Sequence, residues 1–144
     1  WEHNEVVDLL NKLISERTPG EKILVLSRYN RPLEELENEF SRAKTANLKF
    51  LNIHKAKGTE ADHVLLLSCI SGKYGFPSEI AKQQLLDIVE KVPIDEEVRL
   101  EEERRLFYVA LTRCKKQFYM FTSKDAKSQF ISEFASLPDR STTN

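Results

Sequence analysis

The chain has 144 residues, 40% of them hydrophobic, which suits one domain around a single core. Its 22 Lys and Arg against 23 Asp and Glu leave a net charge of −1, excluding the bulk positive charge of a protein that coats nucleic acid and confining any such contact to a local patch. Four Gly and five Pro leave no room for a low-complexity linker, and apolar runs such as Ile23 to Leu26 and Val64 to Leu67 are too short to span a bilayer.

The chain opens on Trp1 without a signal peptide, so it reads as a cytoplasmic piece cut from a longer protein, with no membrane partner. Val6, Val7, Leu9, Leu10, Leu13 and Ile14 fall at helical spacing, with Asn4 as N-cap and Thr18-Pro19-Gly20 as stop. Lys22 to Ser27 is a short apolar run of the kind that a strand buried on both faces of a parallel sheet requires. Similar runs recur at Leu48 to Ile53, His63 to Cys69 and Gln117 to Thr122. Helical patterns separate them: Pro32 to Phe40, Glu79 to Val89, Val98 to Arg113, and Lys124 to Leu137 with Ser123 as its cap. Strands alternating with helices predict an α/β fold, a parallel sheet with helices on both faces and functional loops beyond the strands' carboxyl ends. Cys69 and Cys114 lie far apart with no CxxC or His partner at ligand spacing, so reduced thiols are expected and no metal site.

Charge is unevenly spread: Lys44, Lys49, His54, Lys55 and Lys57 form a basic stretch, whereas Asp95 to Glu97 and Glu101 to Glu103 form an acidic one. The run Asn52-Ile53-His54-Lys55-Ala56-Lys57-Gly58-Thr59-Glu60 follows a predicted strand and concentrates polar groups in one loop. A Lys-Gly turn lets backbone approach a phosphate or sugar, because Gly lacks Cβ, and a nearby carboxylate can accept hydrogen bonds from ribose hydroxyls. A solvated loop is the simpler alternative on spacing alone. The second candidate is Arg113, at the end of a helix that begins with glutamates where the macrodipole favours them. Projected toward a neighbouring nucleotide, its guanidinium could act as an arginine finger; otherwise it complements the helix dipole. Arg104 and Arg105 follow three glutamates and fit surface ion pairs better than catalysis.

The segment FLNIHKAKGTEADHV, Phe50 to Val64, resembles motif V of the UvrD/Rep-type superfamily 1 helicases, and EEERRLFYVALTRCKKQFYMF, Glu101 to Phe121, resembles their motif VI. With ILVLSRYNRP and the Gly75-Phe76-Pro77 turn, the likeness runs from about Ile23 to Phe134. It implies a RecA-like second motor domain over residues 1–138, with 139–144 as a frayed tail. The resemblance makes Arg113 the γ-phosphate finger and Glu60 the ribose ligand, with Gly58 allowing close approach. It lays Asn52 and His54 against single-stranded DNA, with Lys55 or Lys57 near its phosphates. Asn52 stands where the family usually has Thr, and the large domain that UvrD and Rep insert between the helix ending near Phe40 and motif V is missing.

No G-x-x-x-x-G-K-[ST] phosphate loop is present; Ser71-Gly72-Lys73 mimics only its tail. The resemblance then implies that ATP and Mg²⁺ are held mainly by an N-terminal RecA-like domain of the same parent chain, and the fragment alone is expected to be inactive. The family implies an ATP-dependent 3′ to 5′ DNA helicase. The alternatives are a non-catalytic nucleic-acid-binding module and the motor part of a larger repair nuclease.

Overall fold

The computed structural model describes residues 2–42, 47–80 and 95–136. Lys44, residues 81–94 with nearly all of the helix expected from Glu79 to Val89, and the tail 139–144 lie outside the described residues. The elements, in chain order, are α1 (Glu2–Glu16), β1 (Ile23–Ser27), α2 (Arg31–Glu39), β2 (Leu48–Asn52), a 3₁₀ turn (Ile53–Lys55) and β3 (Ala61–Leu66). After the gap follow α3 (Glu96–Thr112), β4 (Cys114–Met120) and α4 (Gln129–Ala135). The strands form one sheet in the order β2-β1-β3-β4, and each neighbouring pair is parallel.

Alternation along the strands divides the core in two. Ile23, Val25, Leu48, Phe50 and Leu65 point to one face, where Val6, Leu10 and Leu13 of α1 and Leu33 and Leu36 of α2 cover them. Leu24, Leu26, Val64 and Leu66 point to the other and meet Phe107 and Ala110 of α3 and Phe130 of α4. Each fully buried side chain of this kind contributes about 1.5–3 kcal/mol. On the second face Phe76, Phe107 and Phe130 make three mutual ring contacts with centroids 5.3 to 5.6 Å apart, tying the loop after β3 to both helices. The α/β sheet with helices on both faces is thus as the alternation predicts.

Two expected caps are displaced. Asn4 lies inside α1, which already runs from Glu2. The last helix is capped by Ser128, whose side chain accepts from Phe130 N, and not by Ser123. The residues between are held out of helical form: Lys127 bridges to Ile70, and the Ser128 hydroxyl donates to the Phe76 carbonyl. Tertiary partners there outbid local propensity. Within these limits no described helix is long and apolar enough to cross a membrane.

Candidate functional site

The motif V stretch is the connection from β2 to β3. Both strands are parallel to β1, so the chain leaving the carboxyl edge of the sheet at Asn52 must return to the amino edge before Ala61. It does so within residues 53–60, far fewer than a helical crossover uses. The candidate residues are therefore split between two edges about one strand length, ~17 Å, apart. Asn52 and His54 sit at the carboxyl edge; Gly58, Glu60 and Arg113 sit at the amino edge. Of the candidate residues, Asn52 and His54 lie beyond the strands' carboxyl ends as expected of functional loops, whereas Gly58, Glu60 and Arg113 lie at the opposite edge.

At the carboxyl edge Asn52 caps the 3₁₀ turn: its Oδ1 accepts from Lys55 N at 3.1 Å, while its Nδ2 donates to Asn30 Oδ1 at 2.8 Å. Asn30 consequently gives no side-chain cap to α2, which starts at Arg31 with Pro32 in its first turn. The turn presents His54 and Lys55 to solvent and buries Ile53; beyond it Ala56 is buried and Lys57 is exposed. Arg28, just past β1, donates to His54 Nε2 at 3.0 Å. Because a guanidinium only donates, Nε2 must accept, which leaves Nδ1 to carry the ring proton. Arg28 is in turn gripped by Glu103 of α3 through two bonds of 3.2 and 2.9 Å. Glu103 also accepts from Ser78 N at 3.0 Å. Side-chain exposure is only 15% for Arg28 and 6% for Glu103, so this is a nearly desolvated, bidentate pair.

Sequence reasoning missed Arg28, Ser78 and Glu103. The signal for Glu103 lay in the spacing: residues 103, 107 and 110 fall on one helical face, and that face is the buried one. Ser78 is delivered by a fold-back after β3, in which Phe76 N donates to Ile70 O at 2.8 Å. Gly75 is required there, since a Cβ would stand 2.0 Å from the Ile70 carbonyl oxygen.

The amino edge is built differently. Thr59 N donates to Ala56 O at 3.0 Å, closing a turn in which Gly58 adopts φ +82°, a left-handed conformation natural to glycine. Nothing lies within 4 Å of where its Cβ would be, so the backbone here faces open space. Ala61 N donates to Arg113 O at 2.9 Å, joining the end of α3 to the start of β3 and placing Arg113 next to the Gly58 to Glu60 segment. The Arg113 guanidinium bonds within its own helix, to Val109 O at 3.2 Å and Thr112 Oγ1 at 3.1 Å. Glu60 reaches Lys115 at 3.5 Å, with side chains 58% and 59% exposed. A stronger pair lies beside them, Glu21 with Lys116. The Lys116 ammonium, opposed by burial and aided by Thr18 and His63, holds the Glu21 carboxyl at about 2 instead of the usual 4.5. Arg104 and Arg105 form the expected surface pairs, with Glu101 and Glu102, and Arg104 also reaches Glu133.

A parallel sheet layered by helices, with a polar loop carried from one edge to the other, defines a RecA-like α/β domain. Its particular kind follows from comparison: residues 33–125 match the family model of the UvrD-like helicase C-terminal domain, and the chain belongs to that family. It is 37% identical over 129 residues to DNA helicase IV of Escherichia coli K12, a match covering 85% of this chain and 18% of that protein. A protein named as a probable DNA helicase II homolog from Mycoplasma pneumoniae is 25% identical over 89% of this chain and 16% of its own length. The chain thus spans less than a fifth of these relatives. In fold it is similar to the C-terminal domain of a possible DNA helicase from Lactobacillus plantarum WCFS1, with TM-score 0.56 and 17% identity over 91% of this chain and 71% of that one.

Proposed function

We propose that this domain is the second motor domain of an ATP-dependent 3′ to 5′ DNA helicase, completing an ATP site with its amino edge and contacting single-stranded DNA with its carboxyl edge. The observation that carries the reading is the split of one short connection, residues 53–60, between the two edges in a chain of this family. Such a segment is a mechanical link: nucleotide bound at Gly58 and Glu60 and strand bound at His54 share one stretch of backbone.

The amino-edge residues suit a nucleotide. Gly58 leaves its backbone open, the exposed Glu60 carboxylate can exchange Lys115 for ribose hydroxyls, and the Arg113 guanidinium, among the described residues, has helix-internal bonds to give up when it turns to a γ-phosphate. ATP and Mg²⁺ come to this edge on the phosphate loop of an N-terminal RecA-like domain of the parent chain. At the other edge Asn52 shapes the turn and His54 is fixed by Arg28, and Lys55, with Lys57 further along the connection, supplies sequence-independent charge to DNA phosphates. Hydrolysis releases Arg113 and Glu60, and the opening of the cleft alternates the grip of the two domains on the strand.

The test is the single-stranded-DNA-stimulated ATPase of the full-length parent, wild type against Arg113→Ala. Turnover should fall about a hundredfold or more while ATP is still bound. Unchanged turnover in a folded variant returns Arg113 to a helix-end role and sinks the motor reading.

A further inference from the structure

Tyr74 keeps 62% of its surface exposed, which is unusual for so large an aromatic group in the absence of a partner. Its setting is rigid. The ring meets Tyr29 edge to face, with centroids 6.0 Å apart and planes at 81°. Tyr29 is itself anchored, its hydroxyl bonded to Ser78 Oγ and the Arg28 guanidinium 5.3 Å from its ring. Lys73 Nζ lies 5.5 Å from the Tyr74 ring centroid, so a cation accompanies the exposed aromatic. The residue after it, Gly75, lies close against the Ile70 backbone and holds the fold-back of this loop.

Position completes the case. Tyr29 precedes Asn30, which accepts from Asn52, and follows Arg28, which holds His54. The Tyr74 ring therefore stands on the same edge as the residues assigned above to the DNA strand. We infer that Tyr74, braced by Tyr29, is a stacking platform for one base of the single strand, with Lys73 beside the neighbouring phosphate. This rests on the DNA-contact reading of the carboxyl edge and extends it to a residue outside motifs V and VI. An aromatic face with adjacent cations is the means by which single strands are held without sequence preference. Among the described residues the other exposed rings, Tyr108 and Phe134, line a groove with Arg104, whose charge Glu101 and Glu133 already occupy, and so lack this chemistry.

The experiment measures anisotropy of two labelled oligonucleotides with the full-length parent: oligodeoxythymidylate, and an abasic strand of the same length and charge. Tyr74→Ala should weaken binding to the base-bearing strand roughly tenfold or more and leave the abasic strand unchanged, and Tyr74→Trp should restore the difference. Unaltered affinity of Tyr74→Ala for both strands overturns the proposal and points to a protein partner for the ring. Equal losses on both strands also overturn it, since the ring then acts through the fold. Failure of the wild-type parent to bind either strand brings down the underlying DNA reading as well, a result distinct from either of these.

Discussion

The two edges of the sheet carry similar residue types in opposite states. At the carboxyl edge, Arg28 and Glu103 are 15% and 6% exposed and bonded twice to each other, with Ser78 and His54 as further partners. At the amino edge, Glu60 and Lys115 are 58% and 59% exposed, and the Arg113 guanidinium bonds to Val109 O and Thr112 Oγ1 of its own helix. The first edge is finished within this domain: its charges are placed before any ligand arrives, so the cost of ordering them is met in folding. The candidate residues of the second are less tied: Glu60 is exposed and holds one long ion pair, and the Arg113 guanidinium is bonded within its own helix, although Glu21 beside them is largely buried and paired with Lys116 and His63. Charge alone does not distinguish the two; the number of fixed partners per charge does.

That contrast is sharpest in stability. A buried pair adds little net stability, since desolvation offsets attraction, but removing one partner strands the other. Glu103→Ala should therefore lower the unfolding free energy of this domain by ~3–5 kcal/mol in urea titration, whereas Glu60→Ala should cost under ~1 kcal/mol because its pair is exposed. Similar losses for both variants erase the distinction. A smaller effect concerns the strand itself. Replacing Lys55 and Lys57 by Ala should reduce the slope of log affinity against log salt by about 1.4, at about 0.7 for each lost phosphate contact to single-stranded DNA. A slope equal to the wild type places both lysines away from the strand.

The smallest effect tests the amino edge in acid. Glu21 is held at about 2 from the usual 4.5, so its carboxylate is bound more favourably in the folded state than the unfolded. The resulting stability is complete above about pH 4.5 and disappears as pH falls toward 2. Acid titration of Glu21→Gln should accordingly show a deficit against wild type at neutral pH that closes across that window. A deficit independent of pH assigns it to packing.

Much of the fold was legible because β1, β2 and β3 are interior or well-covered strands and read as apolar runs, while Phe107 and Ala110 mark the inner face of α3 at helical spacing. The start of β4 was not. Pairing begins at Cys114, opposite Ala61, three positions before the apolar run at Gln117 suggests. As an edge strand, β4 leaves Lys115, Lys116 and Gln117 exposed, so its first residues carry no hydrophobic signature. The candidate residues that sequence offered, Asn52, His54, Gly58, Glu60 and Arg113, are those that stand in motif-like strings. The partners that position them, Arg28 and Glu103, were hidden, since one follows a strand without pattern and the other sits inside an acidic run that reads as solvent-facing. The glutamates taken alone do not show which of the three turns inward; the helical spacing of Glu103 with Phe107 and Ala110 does.

The central claim is that the two edges do separate work, and steady-state kinetics of the full-length parent tests it most directly. ATPase rate is followed against single-stranded DNA concentration for Arg113→Ala and for the Lys55→Ala, Lys57→Ala double variant. The account predicts that Arg113→Ala lowers kcat and leaves the half-saturating DNA concentration where it was, while the lysine variant raises that concentration and retains kcat at saturation. If both variants change the same parameter, the edges are not functionally distinct and the assignment of nucleotide to one and DNA to the other is wrong.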